Sequence, residues 1–376
     1  MTGKLAWAYI TYTAMMMVYT MVNVPYASLL GVMTPDTKIR NTFSSYRMFF
    51  AYVGSLVTFM LLQPLVDFFA GRLGGDTDRL SGSVAGSDVA ISGMPEAWTC
   101  AVAVIGAICA LLFWFCFRWT RERIRVDDAQ LAEGSVGRDL KSLARNAPWW
   151  ILLVAGVAVL LFNSIRDGVA IFYFTDYVRS AYKLPHLGWT LGTLYLLLGQ
   201  LGNMAGVALA VPLAARIGKK GAFAAAMGAA AVLSLFFFRL EPSELGWLFA
   251  LQALVSVAAG VVLPLLWSMY ADIVDYEEYR SGRRPTGLIF SSSSMSQKLG
   301  WALGGAVTGW LLAAFGYDQS AAVQSGEAIA GVRLMMSWFP AAGCLLAAAA
   351  VLFYPLGEKR MERITTELNL RRKTNE

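Results

Sequence analysis

Residues 148–177 read PWWILLVAGVAVLLFNSIRDGVAIFYFTDY. A helix needs roughly 20 mostly apolar residues to cross the hydrocarbon core of a bilayer, and this run exceeds that. The rest of the chain has the same texture. Of 376 residues, 57% are hydrophobic and only 15% charged, with a mean hydropathy of +0.54. Soluble domains are nearer to about 45–50% apolar and about 25% charged, so an ordinary cytosolic enzyme is excluded. Comparable runs occur at 6–32, 45–70, 97–118, 188–215, 221–239, 245–270, 286–315 and 331–355, and nine spanning helices are expected. The first run carries Tyr12, Tyr19, Asn23 and Pro25 and lacks a small-residue cleavage site, which makes it a span rather than a signal peptide.

Basic residues orient the spans. With the N-terminus outside, the inner connections and the helix ends beside them hold 21 of the 31 lysines and arginines, against 7 outside. Arg47, Arg166 and Lys298 fall within spans. This bias predicts a cytoplasmic C-terminus. It also accounts for the net charge of +6 as an inner rim, with no nucleic-acid partner. The long polar connection 119–147, which includes TRERIRVDDAQLAEGSVGRDLKSLARN, divides a three-span bundle (1–118) from a six-span bundle (148–356), and a cytoplasmic tail follows at 357–376. The outer loop 71–96 is rich in Gly, Ser and Asp and reads as a surface excursion.

Metal and catalytic chemistry find little support. His186 is the single histidine, and Cys100, Cys109, Cys116 and Cys344 lie in apolar runs without CxxC spacing. They read as small buried hydrophobes. No GxSxG, HExxH, P-loop or paired-carboxylate pattern occurs, so neither an enzyme, a metal site nor an organic cofactor is expected.

The chain also contains a quiet repeat. Pro25 is followed eleven residues later by Asp36 in NVPYASLLGVMTPD, and Pro264 eleven later by Asp275 in VVLPLLWSMYADIVD. Each pair closes a span on the inner side, leads through a basic loop and enters a span containing a cation, Arg47 or Lys298. Tandem helical bundles are a common plan among transporters. If spans one to three correspond to spans seven to nine, spans four to six lack partners. Three further spans before Met1 would complete a six-plus-six arrangement, so the chain is expected to be N-terminally incomplete.

Two stretches carry a family resemblance: TMVNVPYASLLGVMTPDTKIRNTFSSYRMFFAYVG at 20–54 and MYADIVDYEEYRSGRRPTGLIFSSSSMSQKLGWALGG at 269–305. They resemble the signatures of the glycoside–pentoside–hexuronide:cation symporters, the melibiose-permease group of the major facilitator superfamily. AARIGKKGAF at 214–223 is similar to the superfamily's short basic loop between the second and third helices of a bundle. The resemblance implies an all-α integral membrane protein, a major facilitator type helical bundle with nine spans visible of an expected twelve. It implies a secondary active transporter of the cell inner membrane that couples a sugar or glycoside to a cation, H+ or Na+, by alternating access. A monomer in the lipid bilayer is the expected working unit. Residue by residue, it places a cation-site threonine at Thr20, sugar contacts at Arg47, Ser293 and Ser294, and a site lysine at Lys298. An aspartate of the family's sugar site stands at the position of Asn23, so this chain departs from the pattern there.

The residues support a ligand site on their own terms. Tyr19, Asn23 and Tyr26 are spaced i, i+4, i+7 and share one helix face. Aromatic rings pack on sugar C–H faces while polar tips hydrogen-bond, although helix packing alone would also use them. Ser291, Ser294 and Lys298 share a second face, and Lys298 is too deep to snorkel. Arg47 either holds ligand hydroxyls or a carboxylate, or reaches the inner interface. Asn163, Arg166 and Asp167 form a polar turn within a span; Arg166 and Asp167 point about 100° apart and cannot both face one cavity. Asp272, Asp275, Glu277 and Glu278 beside Arg280, Arg283 and Arg284 read as an inner-loop gate or as a solvated face. A carrier of amphiphilic substrates, a membrane-embedded enzyme and a non-transporting fragment remain the alternatives.

Overall fold

The structure, a computed structural model, describes residues 2–34, 36–72, 95–120, 136–179, 191–318, 321 and 323–375. His186, most of the outer loop 71–96 and residues 121–135 of the polar connection lie outside the described residues. Helices succeed one another: α1 (Thr2–Val32), α2 (Thr37–Arg72), α3 (Pro95–Trp119), a short α4 (Val136–Ala144), α5 (Ala147–Phe172) and α6 (Leu191–Phe236). Then come α7 (Leu245–Ser281), α8 (Thr286–Ala314), α9 (Gly326–Met336), α10 (Trp338–Leu352) and α11 (Glu358–Asn375). Among the described residues, six segments are long and apolar enough to cross a membrane: Ile39–Arg72, Glu96–Trp119, Ala147–Val178, Leu191–Arg239, Leu245–Ser281 and Gly326–Leu352.

Local chemistry sets the helix ends. Asn146 caps α5, its side-chain oxygen accepting the Trp149 N–H at 3.2 Å, with Pro148 in the first turn where no N–H is needed. A straight α6 of 46 residues would be about 70 Å long. It is not straight. Gly218 adopts φ 76° and ψ 160°, a conformation that a side chain would strain. Tyr195, near the start of α6, and Phe237, just past its end, have ring centroids 6.4 Å apart. The helix therefore doubles back at Gly218, and the runs read at 188–215 and 221–239 are its two arms. The run read at 331–355 is likewise two helices, α9 and α10, hinged at Ser337.

Small residues let the helices close on one another. A Cβ on Gly206 would collide with the Val257 carbonyl oxygen, and one on Gly260 with the Asn203 carbonyl oxygen, so α6 and α7 cross backbone to backbone. Gly300 against Leu160 and Gly304 against Ser164 bring α8 onto α5 in the same way. Residues such as Leu152, Phe162, Phe223, Leu266 and Met335 join α5, α6, α7 and α9 in one continuous core. Ala27 and Leu30 are the α1 residues buried in it, and α2 and α3 share a small separate cluster around Val66, Ala70, Ala97 and Ala101.

The expected inner loop 271–285 needs correction. Helix α7 runs on to Ser281, where Gly282 ends it at φ 71°, and Asp272, Asp275 and Glu277 are buried rather than solvated. Cations from other helices neutralise them, so the helix can carry acids inward. Helix α2 starts at Thr37 rather than near 45. Its first turns are buried against α7, with the Ser44 hydroxyl donating to the Pro264 carbonyl at 2.7 Å.

Candidate functional site

Lys298 of α8 reaches across to α1. Its ammonium touches the Thr20 hydroxyl, donates to the Met16 carbonyl at 3.3 Å, and lies 5.2 Å from the centre of the Tyr19 ring. Further along α1, Tyr26 stands 4.9 Å from the Arg47 guanidinium of α2, and Trp267 of α7 faces the same guanidinium at 4.2 Å. Such cation–π contacts strengthen where water is excluded. Trp267 is held in turn by stacking on Phe290 of α8, 6.0 Å away and 14° from parallel. Tyr19 lies within electrostatic reach of Arg47 as well as beneath Lys298. Helices α1, α2, α7 and α8 thus bring both cations to one aromatic-lined junction.

Arg47 does not snorkel. It sits between two aromatic rings, and its Nη1 is buried without a hydrogen-bond partner. Ser293 and Ser294 of α8 are buried as well, the Ser293 hydroxyl within reach of the Tyr270 hydroxyl of α7. Buried polar atoms left unpaired are uncommon and call for a reason, of which an absent ligand is one. Asn23 is half-buried on α1 between Tyr19 and Tyr26. The Ser291 hydroxyl donates to the Leu288 carbonyl of its own helix at 2.9 Å. Two fixed cations, three aromatic platforms and the Thr20 hydroxyl suit a ligand rich in oxygen acceptors and C–H faces.

The polar turn of α5 stands apart. Asn163 donates to the Val159 carbonyl one turn back, at 3.2 Å. Arg166 is buried against Gln252 and Ser256 of α7, the latter at 3.1 Å. Asp167 points elsewhere, within electrostatic reach of Tyr52 on α2. The 100° offset between neighbouring helical positions separates the two charges.

At one end of the bundle lies an ion network. Arg40 of α2 contacts Asp275 at 2.7 Å and Asp272 at 3.5 Å, and Lys219, just past the Gly218 reversal, holds the other Asp272 oxygen at 2.5 Å. Arg284 joins Asp275, at 2.8 Å, and Glu278. Burial alone would depress the Arg284 guanidinium, but Asp275 and Glu278 beside it hold it above its ordinary value. Glu277 is fully buried and accepts from Ser142 and, at 2.7 Å, from Asn146. Arg280 is half-exposed, pairing with Glu277 at 3.3 Å and donating to the Ser142 carbonyl at 2.8 Å. Arg283 reaches Asp139 of α4 at 3.1 Å.

Sequence reasoning missed Trp267, Arg40 and Lys219. Trp267 follows Pro264 by three residues within an apolar run and looks like any lipid-facing tryptophan. Arg40 and Lys219 were counted with the basic rim, and nothing local marks them as partners of Asp272 and Asp275.

Comparison with known proteins identifies the family. The family described as MFS/sugar transport protein matches residues 1–358. A protein of Escherichia coli (strain K12) that carries the name "Putative glycoside/cation symporter YagG" is 33% identical over 368 residues, covering 97% of this chain and 73% of that one. The glucuronide carrier protein homolog of the same organism is 30% identical over 375 residues, 100% of this chain and 75% of its own length. The isoprimeverose transporter of Lactiplantibacillus pentosus is 30% identical over 352 residues, 93% of this chain and 67% of its own. With apolar helices of spanning length, a match along nearly its whole sequence and symporters among its relatives, the chain belongs to the MFS/sugar transport protein family of integral membrane transporters.

Proposed function

We propose that this protein moves a sugar or glycoside with a cation by alternating access, binding the substrate at the junction of α1, α2, α7 and α8. The observation that carries the reading is the pair of part-buried cations, Arg47 and Lys298, presented among Tyr19, Tyr26 and Trp267 with no carboxylate paired to either among the described residues. Sugar hydroxyls would accept from the guanidinium and ammonium, and Trp267 or Tyr19 would cover the C–H face. Thr20, in contact with Lys298, is placed to respond to the coupling ion, H+ or Na+, because an added cation there competes directly with the ammonium.

Nine crossings belong to this reading, with α6 counted as two and α9–α10 as one; the reversal at Gly218 supports it. So does a cytoplasmic C-terminus, which the excess of basic residues on that side supports. The Arg40, Lys219, Asp272 and Asp275 network would then close the inner side, since Arg40 is the α2 group that reaches the acids of α7. Opening inward requires breaking it, and a substrate can favour that only through different affinities for the two states.

The test is binding and uptake by the protein expressed from its own gene, reconstituted in vesicles and offered a panel of glycosides and free sugars under imposed H+ and Na+ gradients. Gradient-dependent uptake of one compound class, lost in Arg47→Ala and Lys298→Ala, is the expected result. Binding of no sugar or glycoside by well-folded protein under either gradient would overturn the reading.

A further inference from the structure

A cavity of about 720 Å³ lies where the Gly218 reversal of α6 meets the end of α10 and the first turn of α11. It shares no residue with the Arg47–Lys298 junction. Asp272 and Lys219 form part of its wall, but they neutralise one another at 2.5 Å. The remaining charged lining is Arg216, Lys220, Lys359 and Arg360 against Glu358 and Glu362. Lys220 donates to the Tyr354 carbonyl at 3.0 Å and Arg360 to the Pro355 carbonyl at 3.5 Å, neutral partners that leave both charges uncompensated. The cavity therefore carries two positive charges in excess.

Two further observations point to a ligand. Asn41 of α2 lines the cavity, is only 7% exposed, and its amide oxygen has no hydrogen-bond partner. An amide group has two faces of opposite character and can turn its NH2 toward an acceptor. The N-terminus of the 18-residue α11 also opens here, adding the positive end of its dipole, which Glu358 in its first turn shares.

We propose that this cavity is an anion site for a phosphate group, carried by either a phospholipid headgroup or a soluble phosphate ester. Its wall is drawn from α2 as well as from α6, α7, α10 and α11, so it is complete only while Arg40 holds α2 against Asp272 and Asp275. A ligand seated there binds the closed inner side in preference to the open one and stabilises it. That consequence rests on the alternating-access reading; the binding itself does not.

The experiment uses the purified protein in nanodiscs. In one arm, inorganic phosphate is titrated against protein in phosphatidylcholine alone, with heat of binding as the readout. In the other, retained lipid is counted by native mass spectrometry from discs of phosphatidylcholine with and without phosphatidylglycerol. Selective binding in either arm, weakened at least tenfold in the doubly substituted Arg216→Gln/Lys359→Gln protein, is expected; both side chains are exposed, and an unchanged melting temperature confirms the fold. Arg40→Ala should weaken the same binding by releasing α2. No selective binding in either arm, or equal binding by the double variant, would overturn the site. Glycoside binding measured on the same samples separates the two ideas, since its absence alone counts against the substrate reading only.

Discussion

The Arg40 guanidinium lies 2.7 Å from Asp275, joining α2 to α7 through an ion pair whose side chains are 0% and 4% exposed. The same guanidinium reaches Asp272 at 3.5 Å, so both ion pairs of Arg40 tie α2 to α7 out of contact with water. Arg40→Ala would leave Asp275 with Arg284 alone, and removing one partner of a buried pair costs about 3–5 kcal/mol. Arg40→Ala is expected to open this end of the bundle. Labelling of a cysteine placed at Ser44 should then rise, and Asp275→Asn should produce less than an additive further change. Unaltered labelling would show that the network does not hold α2.

Lys298→Ala and Arg47→Ala should each weaken sugar binding while leaving expression largely intact. Charged hydrogen bonds are worth about 1.5–3 kcal/mol, which corresponds to roughly a ten- to hundredfold loss of affinity. Arg280→Ala, at a half-exposed pair, should change transport rate with little effect on binding. Normal transport by Lys298→Ala together with lost binding in Arg280→Ala would move the substrate site to the ion network.

Trp267 supports Arg47 through its ring face. Trp267→Phe keeps an aromatic against Phe290 and is expected to weaken binding only a few-fold, whereas Trp267→Ala removes a contact worth about 0.5–2 kcal/mol and the packing with it. Equilibrium binding of the best glycoside checks the order; equal affinity in all three proteins would exclude Trp267 from the site.

Gly206→Ala drives a methyl into the Val257 carbonyl, and Gly228→Ala meets nothing within 4 Å. The first should lower the melting temperature in detergent by several degrees. The second should leave it unchanged or raise it slightly, since alanine is the better helix former by about 1 kcal/mol. Similar melting temperatures would mean that α6 and α7 are not in backbone contact.

The sequence by itself determined the membrane class, the positions of the apolar runs and the family. Each depends on information that is local or periodic: run length, the balance of basic residues, and the two stretches around Pro25 and Pro264. It also named Thr20 for a cation site and Lys298 for a substrate site, and the structure puts the two side chains in contact. The tertiary structure decided what one-dimensional spacing does not encode. Face arithmetic says which residues share a helix side, but not which helix that side meets, so Trp267 passed for an ordinary apolar residue. A basic loop reads the same whether its arginine is solvated or buried against acids more than 200 residues away, as Arg40 is. For the same reason Asp272 and Asp275 read as a polar loop: an acid-rich segment stays helical and enters the core only when cations from other helices converge on it, and that convergence is a property of the packed bundle.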